Sequence, residues 1–227
     1  MKIVSWNCNG KFREKYKVIS TLSADIYIIQ ECENPYDSMD LDYKKFANNC
    51  FWVGKNKNKG LGIFGGKDVL LEKLNWNEIC LKFFLPIKVN NSFDILAVWT
   101  QNPYIEEYYI YQYLHKEKYN DNTIVFGDFN SNQKFDKKYA TRKERGHMAC
   151  VNELKQLGLE DAYHYVTKET QGCETQNTFY LYRHLDKGYH IDHCFLNPKR
   201  LSNYRVLDEK YWLTYSDHVP CVLEIKF

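Results

Sequence analysis

Five short stretches place acids, amides and histidines where apolar segments end: SWNCNG (residues 5–10), IIQEC (28–32), VFGDFNSN (125–132), YHIDH (189–193) and YSDHVP (215–220). In the runs IYIIQE, NTIVFGDFN and YHIDH a carboxylate closes a β-type segment. A carboxylate at the end of a buried strand needs a partner, and strand-end loops are where folded chains display catalytic groups. A lone acid of this kind is usually a turn or capping residue; five sites spread over the whole chain form a set. Carboxylates and amides offer oxygen ligands to a hard divalent ion. A carboxylate beside a histidine raises the imidazole pKa, so the ring can stay cationic near neutral pH. The chemistry within reach is cation binding, charge neutralisation and proton transfer.

These groups must be positioned by strands. Runs rich in Val, Ile, Phe and Tyr, bounded by Gly, Asn, Asp or Pro, predict strands over Lys2–Trp6, Ile26–Gln30, Leu61–Phe64, Ile79–Leu85, Phe93–Trp99, Thr123–Phe126, Ile191–Leu196 and Val219–Ile225. Helical spacing links Phe12, Tyr16 and Ile19, with Leu22 closing the stripe. A second helix is predicted from about Ile105 through Leu114. A third carries Val151, Leu154 and Leu157 and stops at Gly158, a natural residue just past a helix end. KNKNKG, Lys55 to Gly60, reads as a hairpin loop. Many short strands with few helices suggest two packed sheets with helices outside. No repeat, low-complexity tract or linker divides the chain, so a single domain over residues 1–227 is expected.

Taken in order, the five motifs resemble those of the endonuclease–exonuclease–phosphatase superfamily, which includes deoxyribonucleases, apurinic endonucleases, sphingomyelinases and inositol-polyphosphate phosphatases. The resemblance runs from Trp6 to Pro220, and its specific part is GDFN followed much later by SDH, with QE upstream. It implies an α/β, deoxyribonuclease-like four-layer fold: a two-sheet β-sandwich flanked by helices. It also implies Mg²⁺ (or Mn²⁺) held by Glu31, Asp217 and Asn7. Asp128 would orient or deprotonate the attacking water, and Asn130 would hold that water or a phosphate oxygen. His218 would contact a non-bridging oxygen, with Asp192 keeping its ring oriented and protonated. Phosphodiester hydrolysis needs charge neutralisation, an aligned water and help for the leaving oxygen, and these groups can supply all three. The implied reaction is metal-dependent phosphodiester hydrolysis, as a nuclease acting on DNA or RNA. A phosphatase or a lipid or inositol phosphodiesterase of the same fold is the alternative, and a catalytically dead binding module ranks below because every motif carboxylate is present.

Two positions depart from the family pattern. Where many members carry His or Tyr after the central strand, DILAVWTQNP offers Trp99, Thr100 and Gln101, so Gln101 or Tyr104 is expected to contact substrate there. Asn9 stands where some nucleases have Asp. Arg183, shortly before YHIDH, is the single arginine best placed for a substrate phosphate, and His190 is expected to pack beside the active site as a further substrate contact. Cys173, His184, His190, His193 and Cys194 could be read as a zinc site, but their spacing matches no standard ligand pattern. His193 should face the side of the sheet opposite Asp192. Lys55, Lys57 and Lys59, with Lys137, Lys138, Arg142, Lys143 and Arg145, could track a nucleic-acid backbone, although solvated loops also collect lysines.

Composition excludes little. Thirty-one basic and 29 acidic residues leave a formal charge of +2, too balanced to argue for a polyanion partner on charge alone. Eight scattered cysteines without a CxxC pair suggest reduced, packed thiols. The N-terminal apolar run is too short for a signal peptide and no segment is long enough to span a bilayer. A soluble, cytoplasmic monomer acting on nucleic acid or another phosphate ester, with no membrane anchor, is the expectation.

Overall fold

The computed structural model describes residues 1–77, 80–138 and 144–226. In chain order its strands are β1 (Lys2–Asn7), β2 (Ile26–Cys32), β3 (Cys50–Asn56), β4 (Lys59–Gly65), β5 (Leu71–Lys73), β6 (Phe84–Val89), β7 (Phe93–Trp99), β8 (Thr123–Asp128), β9 (Glu160–Asp161), β10 (Phe179–Tyr180), β11 (Gly188–Tyr189), β12 (Asp192–Leu196), β13 (Leu201–Val206) and β14 (Cys221–Ile225). The α-helices are α1 (Phe12–Ser20), α2 (Leu41–Phe46), α3 (Ile105–Leu114), α4 (Gln133–Lys138), α5 (His147–Gln156), α6 (Ala162–Thr167) and α7 (Glu209–Trp212). Among the described residues the strands form two six-stranded sheets, ordered β13-β14-β1-β2-β4-β3 and β5-β6-β7-β8-β12-β9, with β10 and β11 as a separate hairpin. Both large sheets are mixed: β1–β2 and β7–β8 run parallel, whereas pairs such as β1–β14 and β8–β12 are antiparallel.

Side chains alternate across the second sheet, as the strand period of two requires. Leu85, Ile87, Ile95, Ala97, Phe126 and Cys194 enter the main core with Trp6, Ile28 and Leu223 of the first sheet. Phe84, Leu96, Val98, Val125 and Phe195 turn outward under Ile105, Tyr108 and Tyr111 of α3 and Cys150 and Leu154 of α5. On the other sheet, α1 buries Phe12, Tyr16 and Ile19, and Phe12 and Tyr16 lie against the rings of Tyr43 and Phe46. Covering both faces of a strand explains why segments such as DILAVW read as unbroken apolar runs.

The expected strand over Ile79–Leu85 is corrected. Ile79 lies outside the described residues, and the strand starts at Phe84 and continues to Val89, through Pro86. The Pro86 carbonyl accepts from the Leu74 N–H, just past the end of β5. The donor that proline lacks therefore falls where no ladder bond is required. The first helix ends at Ser20, so Leu22 packs against the core from the following turn. KNKNKG does form the β3–β4 turn, and Gly158 follows the last turn of α5 with φ +79°.

Two features of this frame aim the motif residues. Val98 pairs with Gly127 and Trp99 with Asp128 in the β7–β8 ladder. At Gly127, φ is +155° and a Cβ would lie 1.9 Å from the Val98 carbonyl oxygen, so only glycine lets β8 reach this register. Beneath the following loop lies a layer of histidines. His193 sits between the Asp161 carboxylate (Nδ1 to Oδ2, 2.8 Å) and the Ser131 carbonyl (Nε2 to O, 3.0 Å). Both ring nitrogens of His193 thus lie within hydrogen-bond distance of an oxygen acceptor. His147 and His190 stack near it, at 4.8 and 5.2 Å between ring centroids. Burial, reinforced by the charge of His193, holds His147 down at about 3 and His190 at about 4. His164 behaves oppositely: burial works against its charge, but hydrogen bonds to Asp161 and Glu174 raise it to about 9.

Gly127→Ala is expected to cost about 3 kcal/mol or more, because strain and overpacking act together; equilibrium denaturation checks this, and a loss under about 1 kcal/mol contradicts the close approach. A second expectation follows from His190. In the unfolded chain it protonates near about 6.5, whereas the fold keeps it neutral down to about 4. Its contribution to stability is therefore intact above pH ~6.5 and is lost as pH falls below that value. Urea midpoints measured from pH 7 to 4.5 should fall less steeply for His190→Gln than for the unaltered chain. Equal slopes would show that His190 is not held neutral.

Candidate active site

The site begins with strand register. Asp128 ends β8 and Asp192 begins β12, and the two are direct partners in the antiparallel ladder. Directly opposed side chains have Cβ atoms roughly 5 Å apart, and like charges there repel. Both residues are almost wholly buried, at 0% and 2% exposure. The charge is compensated by His218, itself buried, whose Nδ1 lies 2.9 Å from Asp192 Oδ2. Burial disfavours a charged ring, but the Asp192 carboxylate, with Asp128 and Asp217 behind it, outweighs this and raises His218 to about 10. Asp128 is raised to about 7 by burial and by the neighbouring Asp192, with His218 and Asn7 acting the other way.

Amides fix Asp128. Its Oδ2 accepts from Asn7 Nδ2 (3.0 Å) and Asn130 Nδ2 (3.1 Å), and its Oδ1 from the Asn130 N–H (2.8 Å). Asn130 holds a left-handed backbone, φ +46°, and also donates to the Thr100 carbonyl at 3.2 Å. Asn7 is oriented in turn by Asn9, whose backbone N–H donates to Asn7 Oδ1 at 3.0 Å. The YSDHVP turn is stitched onto the same strand. Ser216 Oγ donates to the Asn7 carbonyl (2.7 Å) and accepts the His218 N–H (3.1 Å), while Trp6 Nε1 donates to the His218 carbonyl (3.0 Å). Thr178 Oγ1 accepts the N–H groups of Ile191 and Asp192, each at 3.0 Å, and sets the start of β12.

Glu31 stands at an irregularity. The β2–β4 register shifts between Gln30 and Cys32, and Glu31 between them has φ +64°. Such a bulge re-aims a side chain out of the ladder and is common beside active sites. The preceding residue, Gln30, pairs with Asn7, so Glu31 follows at the same end of the sheet as Asn7. Its Oε2 is 2.7 Å from Lys59 Nζ. Asp217 is half-buried and near enough to His218 to help raise its pKa.

Among the described residues, the grouping able to hold a metal is Asp128, Asp192 and His218, with ligand atoms within 4.8 Å of one another. In that triad His218 Nδ1 is already committed to Asp192 and the ring is cationic, which suits proton handling better than coordination. The remaining oxygen donors, Glu31, Asp217 and Asn7, form the donor chemistry that a hard divalent ion prefers. Glu31 in particular is a carboxylate that this fold leaves with a cation as partner, so the residues present fit such an ion.

The other expected contacts divide. Gln101 follows Thr100, whose carbonyl holds Asn130, and its own side chain turns back to the Thr100 carbonyl at 3.2 Å. Tyr104 is exposed at the start of α3. Arg183 is exposed on the loop joining β10 to β11 and donates to the Thr214 carbonyl at 3.3 Å. Phe179 on that hairpin is bridged to His218, which places the hairpin beside the site. His190 is corrected: it is 1% exposed, its Nδ1 contacts the Gln176 carbonyl at 2.8 Å, and its ring lies 4.3 Å from Tyr163. It belongs to the histidine layer and offers no surface to a substrate. The zinc arrangement is not assembled, because Cys173 is exposed, Cys194 lies in the inter-sheet core and His193 points the other way. Arg145 pairs with Glu106 at 2.9 Å. Arg142 and Lys143, and the side chains of Lys137 and Lys138, lie outside the described residues. Sequence reasoning missed Lys59 as a partner of Glu31, and missed Ser216 and Thr178 as supports; Ser216, inside YSDHVP, was the one with a visible signal.

No family model matches the sequence, and no curated protein matches it. Solved structures do match its fold. A 3′ phosphatase, NExo, from Neisseria, bound to a product DNA hairpin, superposes with TM-score 0.72 at 21% identity, covering 100% of both chains. An AP endonuclease from Archaeoglobus fulgidus gives 0.70 at 16% identity, again over 100% of each chain. The endonuclease domain of TRAS1, a telomere-specific non-LTR retrotransposon, gives 0.65 at 17%, covering 99% of this chain and 97% of that one. Two mixed six-stranded sheets flanked by helices, aligned end to end with these structures, give the chain the fold that these solved structures share.

Proposed function

We propose that this chain is a single-domain, divalent-metal-dependent phosphodiesterase acting on nucleic acid, with Mg²⁺ or Mn²⁺ as its ion. The observation that carries the reading is the buried Asp128–Asp192–His218 constellation, in which one cationic imidazole serves two opposed carboxylates. The activities named for the structural neighbours, on DNA in the case of NExo, favour a nucleic-acid substrate over a lipid or inositol phosphate. The cysteines, all free among the described residues, fit a reducing compartment such as the cytoplasm.

Glu31, Asp217 and Asn7 would hold the ion. When bound, it would neutralise charge on the phosphate and on the leaving oxygen. Asp128, raised to about 7, is poised to take a proton from an attacking water at neutral pH. Its two amide partners fix the carboxylate plane, so an attacking water would meet it from one direction. Asn130 lies at the lip of this bond network and can donate to the water or to a non-bridging oxygen. His218 keeps Nδ1 on Asp192 and leaves Nε2 free, as a cationic donor to a phosphate oxygen. Asp192 does not exchange protons in this scheme; it orients the ring and keeps it charged. Arg183, exposed on the adjoining hairpin, would meet a neighbouring phosphate.

Asp128→Asn and His218→Gln, which keep side-chain size, should each lower kcat on a nucleic-acid substrate by at least roughly a hundredfold. Near-normal turnover by either variant would remove that residue from the mechanism. Purified protein should nick plasmid DNA or degrade single-stranded DNA or RNA with Mg²⁺ or Mn²⁺ and stop on addition of chelator. Hydrolysis confined to soluble phosphomonoesters, or activity indifferent to chelator, would sink the proposal.

A further inference from the structure

Glu31 has a resident cation. Its side chain is 17% exposed, set by the β2 bulge, and Lys59 Nζ lies 2.7 Å from Oε2. Lys59 opens β4, immediately after the tight turn of the β3–β4 hairpin, and its side chain is half exposed. The same ammonium is 5.9 Å from the centroid of Trp99, and Trp99 is the direct β7 partner of Asp128. Lys55 of the same hairpin lies over Phe83, which packs edge-on against Trp99 at 4.7 Å. Two lysines of one hairpin thus rest on one aromatic pair at the edge of the site. Lys59 bridges from there to the carboxylate assigned to the ion.

We propose that Lys59 is an internal counter-cation that competes with the divalent ion for Glu31, so that ion binding releases its ammonium towards an anionic substrate. This rests on the metal-dependent reading above. A compact ammonium on a flexible four-carbon stem can leave such a contact without moving the backbone, and its half-exposed position keeps the cost of release low. A monovalent and a divalent cation cannot both sit against one carboxylate oxygen without repelling each other. The ammonium already lies over the Trp99 ring, the direct partner of Asp128, so on leaving Glu31 it can remain over the strand end that carries Asp128. Because such coupling is reciprocal, a substrate anion that draws Lys59 away from Glu31 would tighten ion binding. The ion would then be held firmly only when substrate is present.

The test is calorimetric titration of the full-length protein with Mn²⁺ alone, without substrate, comparing the unaltered chain with Lys59→Met, Lys59→Arg and Glu31→Gln, each checked for unchanged thermal unfolding. Lys59→Met should bind Mn²⁺ about tenfold more tightly, within the usual range of such couplings. Lys59→Arg, which keeps the charge, should stay near the unaltered value, and Glu31→Gln should bind more weakly. Unchanged or weaker binding by Lys59→Met, with Glu31→Gln still weakened, overturns the role of Lys59 and leaves the metal-dependent reading standing. Absence of Mn²⁺ binding by the unaltered chain, or binding that Glu31→Gln does not weaken, overturns both.

Discussion

Two carboxylates closed off from water, on adjacent strands and directly opposite each other, need compensation, and here it comes from one imidazolium beside them and from amide donors. Asp128 and Asp192 occupy that position, and His218 is the compensating charge. Removing one partner from a buried ionic set typically costs about 3–5 kcal/mol, because the remaining charge is left uncompensated. The rest of the local structure serves to keep His218 in place. Trp6 and Ser216 clamp its backbone, and Thr178 fixes the start of the strand from which Asp192 projects. A site built this way is costly to the fold, and the two-sheet core supplies the stability that offsets it.

Strand β12 uses its alternation twice. Asp192 turns inward to His218, and the next residue, His193, turns outward to Asp161. The outward dyad is structural: His193 donates to the Ser131 carbonyl, and Asn132 donates to both Glu174 and the His190 carbonyl. The loop that follows Asp128 is thereby tied down on its far side while Asn130 is bonded to Asp128 on its near side. Two consecutive residues thus supply one member of the Asp128–Asp192–His218 cluster and one support of the neighbouring loop. That economy explains why histidines unrelated to the proposed chemistry crowd around the motif.

Much of this was legible in the sequence, and the failures have physical causes. Strand-end acids were visible because apolar runs of strand length stop at them, and β1, β2, β7, β8 and β14 were found by the same pattern. Strands β5, β9, β10 and β11 have two or three residues each and carry no period to read. β13 alternates Leu201, Tyr204 and Val206 across a bulge, which breaks the pattern. His190 was expected beside the active site because it sits in the YHIDH motif, two residues before Asp192. Residues 190 and 191 fall between β11 and β12, outside any strand that would fix the direction of the side chain, and the ring turns into the histidine layer. Lys59 stood out only as one of a run of loop lysines; its pairing with Glu31 carried no signal, because that partner lies 28 positions away and across a bulge.

The near-neutral composition takes on meaning at this point. A net charge of +2 argues against a protein-wide field for a polyanion. The relevant charges are instead gathered at one place: Glu31, Asp128, Asp192 and Asp217 against Lys59, His218, Arg183 and Lys15. Lys15 donates to the Cys8 carbonyl at 2.6 Å, and burial, with the charge of Arg183 nearby, lowers its pKa. Local acids and bases in near balance create steep gradients of potential over a few ångströms rather than long-range attraction. Affinity for a phosphate then depends on which cations are present and which carboxylates they occupy. In a site of this kind, selectivity resides in occupancy, and bulk charge is a poor guide to what the surface will hold.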